Sequence, residues 1–232
     1  MKTLAIDTST NILGVALLED EQVLGEVVTQ IKKDHSTRLM PTIVSLMDDL
    51  NIQPDELAKI VVAQGPGSYT GVRIGITTAK SMAWALNIPI YSVSSLNVLT
   101  YNGRFFNGLI FPFFDARRNN VFTGLYEWKD GNHIQHQTDT YISMETMLTE
   151  LAQLKRDVLF LSPHIEQYKD LITEIVDQHA IIPEGPYHFL KPAFLGLASR
   201  GKDEENVHLL SPNYLRLAEA EANWLKRQEG VE

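Results

Sequence analysis

The sequence predicts a two-lobed α/β protein in which the order β-β-β-α-β-α-β-α runs twice, the second time in reduced form. Three observations carry this. An apolar run ending in an aspartate, "TLAIDTS", opens the chain, and a second, "LIFPFFDARR", ends in Asp115 as the first ends in Asp7. Each run is followed by two alternating or apolar stretches that read as a meander. Each meander then gives way to segments of helical period separated by short apolar strands.

In the first half, Thr3 to Ser9 reads as a strand. "ILGVALLED" and "QVLGEVVTQ" follow, parted by the turn-like Glu19-Asp20-Glu21. "HSTRLMPTIVSLMDDL" (His35 to Leu50) has helical spacing in two stripes: Leu39, Ile43, Leu46, Leu50 and Met40, Val44, Met47. Pro41 cannot donate to the helix ladder, so the helix is expected to start late or kink there. "IVVAQ" (Ile60 to Gln64) is an apolar strand of the parallel-sheet kind. A glycine turn, a helix through Leu86, the strand "IPIYSV" and the helix "SSLNVLTYN" complete this half.

The second half repeats the order. "NVFTGLYEW" and "HIQHQTDTY" complete three strands, and "SMETMLTELAQL" is a helix. "DVLFLS" is a strand, "HIEQYKDLITEIV" a helix and "HAIIP" a last short strand. "PAFLGLASRGKD" reads as a terminal helix that packs back on the first lobe. The expected organisation is a first lobe over 1–102 completed by the helix at 191–203, a reduced second lobe over 103–190, and a tail over 204–232. The end of that tail, "EAEANWLKRQEGVE", is charged and reads as solvated or frayed. A three-stranded meander followed by α/β crossovers is the half-domain of the actin/hexokinase-like (ribonuclease H-like) architecture.

Composition narrows the function. The chain has 232 residues, 44% hydrophobic and 21% charged, which suits a folded cytoplasmic protein. No apolar run approaches the ~20 residues of a membrane span, and "MKTLAIDTST" is too short and polar for a signal peptide. There are no cysteines, which excludes disulfides, thiolate metal sites and a cysteine nucleophile. The net charge of −9 makes the chain a poor solitary binder of nucleic acid.

The glycine turn fits neither phosphate-loop pattern. Gly65 and Gly71 are followed by no lysine of the Walker A type. Gly65, Gly67 and Gly71 give G-x-G-x-x-x-G, one residue too long for the dinucleotide fingerprint. The better reading is architectural: Gly65-Pro66-Gly67 makes a tight strand exit. Gly75, Ala79 and Ala83 then form a small-residue stripe that another helix can approach. Together with the second apolar face of the His35 to Leu50 helix, this predicts a partner surface, by which two such helix pairs pack as a four-helix contact.

Asp7 and Asp115 each end a first strand. In an actin-like protein they would face a cleft and hold a magnesium-bound phosphate, although a lone aspartate at a strand end is more often a turn residue. Arg117 and Arg118 form a basic pair at a hairpin, suited to an anion contact or to solvent. The histidines show no H-E-x-x-H spacing, and His133 and His136 are expected on opposite faces of a strand. No G-x-S-x-G elbow exists.

At "GPGSYTGVRIGITTAKSMAWALNIPIYSVSSL" the sequence resembles the TsaB (YeaZ) family. "LAIDTST", "HSTRLMPTIVSLM", "FDARRNNVFTGLY" and, more weakly, "SPNYLR" extend the likeness over nearly the whole chain. The resemblance implies a bacterial subunit that supports attachment of threonylcarbamoyl to the adenosine beside the anticodon of tRNAs reading codons that start with A. It implies a TsaD-like catalytic partner, a TsaE-like ATPase, tRNA through the complex and a homodimer when the chain is alone. It also implies no cofactor of its own, with ATP and a metal ion held by the partner subunits. The catalytic paralogue carries a metal-binding H-x-x-x-H whose two positions here become Ser95 and Leu99, and leucine is no ligand. The chain also lacks the Gly-Gly turns with which such proteins close over adenosine. A non-catalytic subunit is therefore expected. Its docking face is expected at His35, Leu39, Ile43, Leu46, Val72, Gly75, Ile76, Ala79 and Ala83, where a large charged residue at Gly75 or Ala79 should block docking and spare the fold. The rival readings are an ATP-dependent phosphotransferase using Asp7 and Asp115 around magnesium, and a metallopeptidase.

Overall fold

The computed structural model describes residues 1–30 and 35–216. β1 (Lys2–Asp7), β2 (Ile12–Glu19) and β3 (Gln22–Gln30) form an antiparallel meander. β4 (Leu57–Ala63) adds parallel to β1, and β5 (Ile90–Val93) parallel to β4, giving the order β3-β2-β1-β4-β5. β1 and β2 are covered on both faces, which is why they read as apolar runs rather than alternations. The period of two sends Leu4 and Ile6 to one core and Ala5 to another. The first core is closed by α1 (His35–Asp49) and α2 (Tyr69–Leu86). The second is closed by α3 (Ser95–Thr100) and by residues of the second lobe.

The second lobe repeats the plan with β6 (Leu109–Asp115), β7 (Asn120–Lys129), β8 (Asn132–Ser143), β9 (Val158–Leu161) and β10 (Ala180–Ile181), in the order β10-β9-β6-β7-β8. α4 (Met144–Leu154) and α5 (Ile165–Val176) bury their apolar stripes on its outer face around Phe111, Phe113 and Phe160. α6 (Pro192–Ala198) then returns to the first sheet, with Leu195 buried in the shared core and Pro192 packed over Gly14.

Two details depart from expectation. Pro41 lies on the exposed side of a helix that is already formed at His35, so the late start does not occur. The terminal helix ends at Ala198, and residues 204–216 run along the first lobe as an irregular segment with a turn at 207–209. Glu205 N donates to Ile90 O (2.9 Å), Lys80 Nζ to Leu210 O (2.8 Å) and Asn213 N to Gln64 O (2.9 Å). The charged end "EAEANWLKRQEGVE" lies outside the described residues.

Candidate functional site: an outer helix seam and an interlobe cleft

The space under the glycine turn is filled by the chain itself. Ser68 caps α2, its Oγ accepting from Gly71 N at 3.2 Å. Ser68 N donates to Ser9 O (2.6 Å), and Thr8 Oγ1 donates to Gly71 O (2.7 Å). A Cβ on Gly67 would lie 2.0 Å from Ser9 O, and one on Gly71 2.1 Å from Thr8 O. Glycine is thus required because the loop after β1 and the start of α2 touch backbone to backbone. Gly65, with φ +91, and Pro66 turn the chain out of the sheet toward this contact.

The docking face expected from the sequence is corrected by burial. Leu39, Ile43, Leu46, Val72, Gly75, Ile76, Ala79 and Ala83 all point inward, onto the chain's own first sheet. The small-residue stripe faces that sheet rather than a neighbouring helix: Gly75 sits against Thr8 and Val62, and Ala79 is 0% exposed. His35 is half-buried, and its Nε2 donates to Thr10 O of the same chain at 3.0 Å. Of the second stripe on α1, Met47 is buried in the same core, and the part left outside is Met40, 41% exposed, and Val44, 50% exposed. Arg38, Thr42 and Asp49 line the groove beside Val27 of β3. Helical geometry puts Met40 and Val44 on the opposite flank, the one turned toward α2. On α2 the matching flank carries the half-buried Ile74 and Thr78 and the exposed Ser81 and Ala85. Together they form a shallow outer seam of apolar and small side chains.

The two strand-end aspartates have different fates. Asp7 is 1% exposed, and its Oδ1 accepts from Ser9 N (2.8 Å) and Ser9 Oγ (2.7 Å). Its Oδ2 is buried without a hydrogen-bond partner, and burial pushes the carboxyl above its usual pKa. Asp115 lies at a cleft between the lobes. Its Oδ1 accepts from Tyr168 OH (2.7 Å) and Arg117 N (3.1 Å), while its own N–H donates to His164 Nδ1 (3.3 Å). Burial holds the His164 imidazole below the ordinary histidine value, against the pull of Asp115.

The cleft holds about 600 Å³. Its walls are the loop at 9–11, the glycine turn at 66–70, the hairpin at 114–118 and the segment at 212–216. Arg117 and Arg118 project from the hairpin, where Arg117, Arg118 and Asn119 are all left-handed (φ 67, 55 and 57). Three side-chain arrangements of the molecule escape sequence reading because each joins residues remote in the chain. Arg73 stacks on Tyr69 and hydrogen-bonds Tyr214, which itself stacks on Tyr69. Arg216 donates to Ala116 O at 3.2 Å across the cleft. Ser94, the cap of α3, and Tyr126 both donate to Asp139 on β8. Asp139, like Asp7, has its pKa raised by burial.

Ser95 and Leu99 are both buried in α3. Among the described residues, no group of three His, Cys, Asp or Glu side chains converges to hold a metal ion. His133 is packed among Tyr101, Tyr126 and Trp128, whereas His136 pairs with Glu127 at 2.7 Å. No helix among the described residues is long and apolar enough to cross a membrane.

Two sheets of matching strand order, with crossover helices and a cleft between them, define a protein of the actin/hexokinase-like class. Over residues 22–224 the chain matches the family described as TsaD: tRNA N6-adenosine threonylcarbamoyltransferase. It is 47% identical over 229 residues to the tRNA threonylcarbamoyladenosine biosynthesis protein TsaB of Bacillus subtilis, covering 99% of this chain and 100% of that one. The Escherichia coli protein of the same description is 27% identical over 224 residues, covering 93% and 95%. A crystal structure of a Pseudomonas aeruginosa protein, described as similar to the peptidase YeaZ, superposes with a TM-score of 0.78 at 26% identity, covering 93% and 99%. The chain belongs to the TsaB (YeaZ) family.

Proposed function

We propose that the chain is a non-catalytic scaffold and activator subunit of the bacterial complex that places threonylcarbamoyl on the adenosine beside the anticodon, in tRNAs reading codons that start with A. The observation that carries this reading is the end-to-end likeness to a tRNA threonylcarbamoyladenosine biosynthesis protein, at 47% identity. The working partner is a TsaD-like catalytic subunit, which docks on the outer seam of α1 and α2 around Met40, Val44, Ile74 and Thr78. The same seam serves self-association when the chain is alone. A TsaE-like ATPase and tRNA join through the complex, in the cytoplasm. ATP and a metal ion belong to the partner subunits, and this chain needs no cofactor of its own.

The state of the two aspartates favours this reading over phosphotransfer. Asp7 is 1% exposed and does not line the cleft, and Asp115 Oδ1 accepts from Tyr168 OH and Arg117 N, so the two do not meet in the cleft as an open acidic pair for a magnesium-bound phosphate. Reconstitution tests the proposal. The chain alone should form no modified adenosine on tRNA by mass spectrometry. Given tRNA, ATP and an activated threonylcarbamoyl donor, the catalytic subunit with its ATPase should form it only when the chain is added. Product made at full rate without the chain, or by the chain alone, would overturn the role.

A further inference from the structure

We propose that the chain itself grips folded RNA, through a basic surface built on aromatic rings where the two lobes join. Five cations meet there in a molecule of net charge −9: Lys59 of β4, Arg104 after α3, Lys191 before α6, and Arg200 and Lys202 beyond its end. None of them lines the interlobe cleft. A connected set of rings carries them. Tyr101 stacks on Phe194 (centres 5.5 Å apart) and meets Trp128 edge-on (4.9 Å), and both, with Tyr91, pack on the core shared by the lobes. The Arg104 guanidinium lies 5.2 Å from the centre of the Trp128 ring, Lys191 Nζ 5.7 Å from that of Phe194 and Lys59 Nζ 5.0 Å from that of Tyr91. The rings hold the cations from beneath, while Arg104, Lys191, Arg200 and Lys202 stay exposed to solvent.

These charges crowd one another rather than pairing off. Among the described residues, the one carboxylate in ion-pair contact with any of the five is Glu21, on Arg200. Lys59 Nζ donates to the neutral Ser199 Oγ at 3.1 Å. After burial, Arg200 is the charge that lowers the pKa of Lys59, and Lys202 the one that lowers that of His133 beside Tyr101 and Trp128. Of the acidic residues that follow Lys202, Asp203 is exposed, while Glu204 and Glu205 line a separate hollow beside Trp84 of α2. Cations gathered with so little counter-charge set up a positive potential that a phosphate backbone relieves. Phe105 favours RNA over an acidic protein. It is 98% exposed, on the turn after α3 and next to Arg104 in the chain. A bare ring beside a guanidinium is suited to stacking on an unpaired base. That the RNA is tRNA rests on the function proposed above; the surface itself does not.

The test is fluorescence anisotropy of labelled tRNA titrated with the purified full chain, without partners, from about 50 mM salt upward. The chain should bind, with log affinity falling linearly in log salt. Lys191→Gln combined with Lys202→Gln should weaken binding by about tenfold and make that slope shallower by about 1 to 2. Lys155→Gln combined with Lys169→Gln removes the same charge from exposed sites elsewhere, and should change affinity by no more than about twofold. Phe105→Ala should weaken binding by about fivefold at an unchanged slope. Polyglutamate should not displace the tRNA. No binding by the parent chain, equal effects of the two lysine pairs, parental affinity in Phe105→Ala, or displacement by polyglutamate would each overturn the proposal. Binding by the chain alone, without product in the reconstituted complex, would sink the subunit role and leave this surface standing. Product without binding by the chain alone would sink the surface and leave the role.

Discussion

Gly71 leaves 2.1 Å between the position of a Cβ and the carbonyl oxygen of Thr8, a gap that no side chain tolerates. Gly71→Ala should lower stability by upward of about 3 kcal/mol in denaturant or thermal unfolding. Gly131→Ala meets nothing within 4 Å and pays only for its left-handed φ of +78, about 1–2 kcal/mol. Equal losses at the two sites would remove the close-packing account of the glycine turn. Ala79→Glu would bury a charge at a 0% exposed site, so it should unfold the chain rather than selectively block docking. His133 gives a pH signature. Thr100 Oγ1 spends its proton on Asn97 O, so His133 Nε2–H donates to Thr100, while Asn97 Nδ2 donates to Nδ1. This arrangement holds a neutral ring, and burial lowers its pKa from 6.5 to about 4. Between those values the unfolded chain binds the proton and the folded one does not, so stability falls as pH drops through that window. Asp7 and Asp139, raised by burial, act in the opposite sense, so the parent must be compared with a variant. The melting temperature of the parent minus that of His133→Gln should shrink from about pH 7 to pH 4. A difference independent of pH would contradict the assignment.

Elements were readable because each has its own period, and α1 shows where that reading stops. Its two apolar stripes are both plain in the sequence, but nothing in a lone helix says which one meets the sheet. Burial decides: Leu39, Ile43 and Leu46 go in and take Met47 of the second stripe with them, while Met40 and Val44 stay out. The same limit applies to α2, where Gly75, Ala79 and Ala83 suited either a partner helix or the molecule's own sheet, and the sheet took them. α3 was expected at its place, but its tie to the second lobe was not, because Ser94 and Asp139 are 45 residues apart. Ser94→Ala removes the cap of α3 and one donor to a buried carboxylate, and should cost about 1–2 kcal/mol. Combined with Asp139→Asn, the losses should fall short of additive by more than about 0.5 kcal/mol in a double-mutant cycle. Strict additivity would mean that the pair is not coupled.

At the scale of the whole molecule, the duplicated plan follows from two apolar runs ending in aspartate, each opening a meander. The sequence treated those aspartates alike. The fold seals Asp7 behind Ser9 and sets Asp115 at the cleft. The segment 204–216 was unreadable for a different reason: it is held by single ties to remote residues, backbone bonds to Ile90 and Gln64 and side-chain bonds from Lys80 and Arg73, and such ties leave no period in the sequence. What remains on the outside is a seam of Met40 and Val44 beside Ile74 and Thr78, on a chain proposed to work by docking. Light scattering after gel filtration of the chain mixed with its TsaD-like partner measures that docking directly. The parent should elute with the partner as one complex, and Val44→Glu, at a 50% exposed site, should elute apart from it with an unchanged melting temperature. A Val44→Glu chain that still forms the complex at parental affinity would contradict the account.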